Sequence, residues 1–151
     1  MKTITTTIEI DATPQKVWSV LTDFASHARW NPFFARVEGQ PTVGSTLTIK
    51  ARKDDGSEGM GFAPTVLEAD PGRILRWKGK LFVKGIFDGE HIFELTELAD
   101  GRTRLDHSEN FSGILIPLMG KVLADTEDGF NKFNIALADE VAARRGANCQ
   151  S

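Results

Sequence analysis

The chain has one cysteine, no tyrosine and three histidines among 151 residues. The lone thiol, Cys149, lies in a polar tail, so neither a disulfide framework nor a cysteine-based metal site can be built on it. No basic run marks a nucleic-acid partner, and the formal net charge of −3 is spread along the chain. No apolar run approaches the roughly 18 residues of a membrane span. The opening MKTITTTIEI lacks the continuous apolar core of a signal peptide. Phosphate-binding loops are missing too. Gly59-Met60-Gly61 lacks the third glycine and following helix of a dinucleotide fingerprint, and Gly120-Lys121 lacks the rest of a phosphate loop. The expectation is a cytoplasmic globular protein with no nucleic-acid partner, membrane span or cofactor, its oligomeric state open.

What the chain does hold is apolar rings, ten phenylalanines and three tryptophans, which suit a dry interior. Ile4, Thr6, Ile8 and Ile10 alternate with Thr5, Thr7 and Glu9, the pattern of a half-buried strand. Thr13 can cap a helix whose first position is Pro14, and Val17, Trp18 and Leu21 form its stripe. A second short helix from Phe24 stops at Asn31-Pro32, because the residue before proline avoids helical angles. His27 on that helix reads as solvated. From Phe33 to Phe111, turn residues punctuate six short strands. After Pro117, Leu123, Phe130, Phe133, Leu137 and Val141 recur at helical spacing, the stripe of a long helix lying on a sheet. Gly129 within it predicts close approach of another element or a ligand. The pattern ends near Arg145, so residues 1–145 are expected to form one domain and residues 146–151 a disordered tail. The order predicts an α+β fold: a curved seven-stranded antiparallel sheet covered by one long helix, with a cavity between them.

The last hairpin can be registered from sequence. Phe87, His91, Phe93 and Leu95 share one strand face, as do Leu105, His107, Glu109 and Phe111 on the next. A three-residue loop, Ala99-Asp100-Gly101 with Gly101 left-handed, sets Leu95 against Leu105, Phe93 against His107 and His91 against Glu109. Opposed Cβ atoms lie about 4.5–5.5 Å apart, so the imidazole can reach the carboxylate. His91 and Glu109 then form a structural hydrogen bond, a polar anchor for a ligand hydroxyl or carbonyl, or an acid–base pair with His91 moving a proton. His107 lies diagonal to His91, and a two-histidine, one-carboxylate metal site is the weakest alternative, so no metal is expected. Expected walls of the cavity are Trp30, Phe34, Met60, Phe62, Trp77, Phe87, Phe93, Phe111, Met119, Phe130 and Asn134, around His91, His107 and Glu109.

The ordered series Ile8-Glu9-Ile10-Asp11-Ala12, Pro14, Val17-Trp18, Leu21-Thr22-Asp23-Phe24, Trp30-Asn31-Pro32-Phe33, Val43-Gly44, Phe87-Asp88-Gly89-Glu90-His91, Glu109-Asn110-Phe111-Ser112-Gly113 and Gly129-Phe130 resembles the START/Bet v 1-like superfamily. The nearer likeness is to its bacterial polyketide cyclase/dehydrase-like proteins. The resemblance implies a helix-grip fold and a deep cavity for a small apolar molecule, lipid-, polyketide- or aromatic-like. It carries over no catalytic motif. The expected function is binding of such a ligand between sheet and C-terminal helix. The alternative is a cyclase- or dehydratase-like enzyme using His91 and Glu109.

Overall fold

The computed structural model describes residues 2–81, 87–114, 116–118 and 120–149. Strand β1 (Lys2–Ile10) leads into helices α1 (Pro14–Leu21) and α2 (His27–Trp30). Seven strands follow: β2 (Phe34–Glu38), β3 (Thr48–Arg52), β4 (Glu58–Phe62), β5 (Thr65–Asp70), β6 (Ile74–Leu81), β7 (Phe87–Glu97) and β8 (Thr103–Ser112). Helix α3 (Gly120–Cys149) closes the chain. It continues past Gly146, where a tail was expected, since one glycine costs a helix only about 1 kcal/mol.

The strands form two antiparallel sheets, β1-β8-β7-β6-β5 and β2-β3-β4, rather than one seven-stranded sheet. The segment expected to be one strand is divided into β4 and β5 at Pro64, which has no N–H for the ladder and restricts Ala63 before it. The sheets remain stitched beside this break. Leu47 N–H donates to the Pro64 carbonyl at 2.8 Å, and Val66 N–H to the Ser45 carbonyl at 2.9 Å. Together they curve around α3 as one layer.

Sequence periodicity places the core correctly. Ile4, Thr6 and Ile10 of β1 are buried, as are Leu123, Phe130, Phe133, Leu137 and Val141 of α3. Thr13 caps α1 by accepting the Lys16 N–H at 3.3 Å, with Pro14 in the first turn. The β7–β8 hairpin has the expected register, with Leu95 opposite Leu105, Phe93 opposite His107 and His91 opposite Glu109. Gly101 has φ +84°, the left-handed angle its loop requires.

His27 corrects the sequence reading: it is buried, not solvated. Asn31 Oδ1 accepts the N–H groups of Phe33 and Phe34 at 2.8 and 3.0 Å, so its amide nitrogen must face His27 Nδ1, 3.0 Å away. His27 Nε2–H then donates to the Leu21 carbonyl at 2.8 Å. Both ring nitrogens are satisfied only in the neutral form. The helix is short, but Trp30 and Phe133 cover the ring at centroid distances of 4.6 and 6.3 Å.

Burial lowers the His27 pKa to about 4, outweighing the Leu21 hydrogen bond and Asp23, which pull the other way. The unfolded chain, titrating near 6.5, therefore binds more protons than the folded one between those values. This contribution to stability is complete above about pH 6.5 and is lost progressively as pH falls towards about 4, up to about 3 kcal/mol. Denaturant titrations from about pH 7.5 down to about 4.5 should show that loss, and His27→Asn should flatten the profile over the same window.

Candidate functional site

A cavity of about 180 Å³ lies between the sheets and α3. Phe33, Phe34 and Ala51 wall it from the side of β2 and β3, and Phe62 and Pro64 from the break between the sheets. Trp77 and Gly79 of β6, Gly89 and His91 of β7, and Glu109 and Phe111 of β8 form the opposite wall. Val122 and Thr126, one turn apart on α3, complete it. The surface is mostly apolar and rich in aromatic rings, with His91, Glu109 and Thr126 as its polar side chains.

Phe34, Phe62, Trp77, His91, Glu109 and Phe111 thus stand where the sequence reading put them. Others do not line the cavity. Met60 of β4 is 56 % exposed. Trp30 packs on His27 and Phe133 and donates its indole N–H to Ser26 Oγ at 3.0 Å. Phe93, Phe130, His107 and Asn134 are buried behind the wall, where they support His91 rather than the cavity surface. Met119 and the side chain of Phe87 lie outside the described residues.

The partner of His91 also differs from expectation. Its Nδ1 stands 3.7 Å from Glu109 Oε1, beyond a hydrogen bond. Its Nε2 meets His107 Nε2 at 2.6 Å. His107 Nδ1 in turn contacts Asn134 Oδ1 at 2.8 Å, and Asn134 Nδ2 donates to Thr6 Oγ1 at 2.9 Å. The Thr6 hydroxyl donates to the His107 carbonyl at 3.0 Å.

This chain has a direction. Thr6 has one proton, committed to a carbonyl, so Asn134 must face it with its amide nitrogen. Asn134 therefore turns its oxygen to His107, and His107 Nδ1 is the donor. In a neutral His107 the remaining nitrogen, Nε2, is an acceptor, and it receives the His91 Nε2–H. Burial, and after it the neighbouring His91, holds His107 well below the ordinary histidine range, against the pull of its bond to Asn134. The neutral form assumed in this accounting is therefore the favoured one. In a neutral His91 the nitrogen without a proton is then Nδ1, at the cavity wall beside Glu109.

The rings around the pair restrict their rotation. His91 lies 5.1 Å from Trp77, 4.7 Å from Phe93 and 4.9 Å from Phe130 between centroids. His107 stacks on Phe130 at 4.0 Å and 14°. In this arrangement the two Nε2 atoms are too close to share a metal, since two nitrogens each about 2.0–2.1 Å from one zinc stand about 3.3 Å apart. Among the described residues, no group of three or more metal-ligating side chains is assembled elsewhere.

Residues 1–141 match the sequence family described as polyketide cyclase/dehydrase and lipid transport. The chain belongs to that family. Its fold is that of the START/Bet v 1-like superfamily. Similar solved structures include protein MLL2253 from Mesorhizobium loti, 23% identical with a TM-score of 0.75, covering 95% of this chain and 98% of that one. A START superfamily protein from Mycobacterium smegmatis is 19% identical with a TM-score of 0.69, covering 93% and 97%. The di-domain ARO/CYC StfQ from the steffimycin biosynthetic pathway is 15% identical with a TM-score of 0.73, covering 96% of this chain and 51% of that one. No curated protein matches the chain. No helix among the described residues is long and apolar enough to cross a membrane.

Two features of this family member's cavity were partly visible in sequence. Gly129 does mark a close approach: a Cβ there would meet Phe33 Cδ2 at 2.5 Å. Asn134 follows Phe130 by four residues on the buried stripe, so an amide there needed a partner on the sheet. Thr6 was missed because its role depends on β1 pairing with β8, across a hundred residues.

The Phe33 ring is held edge-on by Phe34 at 5.0 Å and Phe130 at 5.4 Å, so it cannot yield freely to a methyl group. Alanine at 129 gains about 1 kcal/mol of helix propensity, but overpacking typically costs 1–3 kcal/mol. Gly129→Ala should therefore lower stability by up to about 2 kcal/mol, a fall in thermal midpoint where propensity alone predicts a rise.

Proposed function

We propose that the protein binds a small, largely apolar molecule in the cavity between its sheets and α3. The observation that carries this reading is an aromatic-lined space with a few polar side chains on its wall, the make-up of ligand sites in general. The volume of about 180 Å³ bounds the ligand. Drug-sized ligands occupy roughly 300–1,000 Å³, whereas an apolar cavity of roughly 150 Å³ can hold benzene. A body of one ring, or two small ones, fits; a long lipid does so only if the walls move.

A second reading is favoured by the directed chain behind His91. A neutral His91 whose Nε2–H is committed to His107 can accept a proton at Nδ1 from a bound substrate, the step a cyclase- or dehydratase-like enzyme requires. It calls for product formation that is lost in His91→Ala.

Binding predicts a rise in thermal midpoint with one- and two-ring aromatic molecules, because such ligands stabilise only the folded state; saturation at 100 times Kd adds about 2.7 kcal/mol. Ala51 lines the cavity, so Ala51→Phe should occupy it and remove the response while circular dichroism stays unchanged. A panel without effect, or a plugged variant that responds equally, would sink the proposal.

A further inference from the structure

Resting on that reading of the cavity, we infer that it selects ligands carrying a hydrogen-bond donor, a hydroxyl above all, over aprotic or carboxylate-bearing molecules of the same size. Thr6, Asn134 and His107 act as positioning residues that set this preference from outside the cavity.

The argument is one of proton accounting. On the cavity wall, His91 presents Nδ1 and Glu109 presents Oε1, 3.7 Å apart. The His91 Nε2–H is committed to His107, and the order of donors running back through Asn134 to the Thr6 hydroxyl leaves no proton for Nδ1 in the neutral ring. A carboxylate likewise offers only acceptors. The other hydroxyl on the wall, Thr126, donates to the Val122 carbonyl at 2.7 Å and is occupied as well. Two acceptors therefore face one another across a gap too long for a bond, beside aromatic walls, with His91 buried and Glu109 17 % exposed.

The Glu109 carboxyl lies against bare backbone. A Cβ on Gly89 would lie 2.8 Å from Oε1, so the glycine makes room for the carboxyl to lie along the wall. The His91 ring is clasped by Trp77, Phe93 and Phe130. The His91 ring cannot turn away readily, and a ligand that displaces water from the two acceptors without supplying a donor forfeits about 1–3 kcal/mol. A ligand O–H or N–H supplies that donor. An ether or ketone oxygen adds a third set of lone pairs, and a carboxylate adds charge repulsion against Glu109. A site built to pair with a hydroxyl discriminates strongly against an analogue without the proton, for the same reason.

The experiment uses the full chain and three one-ring probes: 4-methylphenol, 4-methylanisole and 4-methylbenzoate. Long-range 1H–15N spectra of the free protein at about pH 8 should show His91 protonated at Nε2 and His107 at Nδ1; the opposite tautomers would overturn the inference without any variant. In titrations followed by the same spectra, the phenol should bind at least about tenfold more tightly than the anisole, and the benzoate more weakly still. An anisole or benzoate that binds as tightly as the phenol overturns the preference while leaving the cavity a binding site. Absence of binding by all three, with the larger aromatic panel also silent, removes the binding reading itself. Asn134→Asp keeps an acceptor on His107 Nδ1, with the Thr6 hydroxyl turning to donate to the new carboxylate, and should keep both tautomers and the preference. Asn134→Leu frees His107 to reverse, and should move the His91 proton towards Nδ1 and reduce the preference several-fold. A folded Asn134→Leu protein with unchanged tautomers and preference would remove the positioning role.

Discussion

The polar chain from Thr6 through Asn134 and His107 to His91 is the interaction on which the interior depends. It joins three neighbouring strands of the sheet, β1, β8 and β7, to the one helix that covers them. Each link joins a donor to an acceptor, so Thr6, Asn134 and His107 cross the aromatic core hydrogen-bonded, and the last nitrogen, His91 Nδ1, is left facing the cavity. The same low dielectric that strengthens these bonds makes a broken one expensive, which favours keeping the chain whole. Only its last member, His91, reaches the cavity.

The cavity follows from the shapes around that chain. Gly79 and Gly89 pair across β6 and β7, and with no side chains there the wall recedes. Pro64 ends one sheet where the next begins, and Phe33 is pressed against the bare backbone of Gly129. The phenylalanine-rich lining is apolar, so the two acceptors have few competitors on the wall for whatever enters.

His27 and Asn31 make an instructive contrast. There too an asparagine, its orientation set by two other bonds, dictates which nitrogen of a buried histidine carries the proton. At His27 the second nitrogen closes on the Leu21 carbonyl, and the ring only fastens α2 to the end of α1. At His91 the second nitrogen faces the cavity. The same device is structural in one place and, on the reading proposed, functional in the other; the difference lies in what stands opposite the last nitrogen.

Local alternation and short-loop geometry were enough to place the strand faces, the register of β7 on β8 and the buried stripe of α3, because a period of two or 3.6 residues and a three-residue loop are properties of neighbours in sequence. They also placed His91 beside Glu109 and singled out Gly129. The division at Pro64 is local in cause, but its result, two sheets held together through residues 44–47, is not. The His91–His107 contact was hidden in a diagonal pair. Side-chain direction across twisted strands brings their Nε2 atoms within 2.6 Å, which no spacing rule reports. The burial of His27 needs Phe133, and the role of Thr6 needs both β8 and α3. The sequence by itself determined most of the elements, most of their inward faces and the composition of a ring-lined interior. Only the tertiary structure decided which polar atoms meet, and hence where the protons lie, because those contacts join residues up to 128 positions apart.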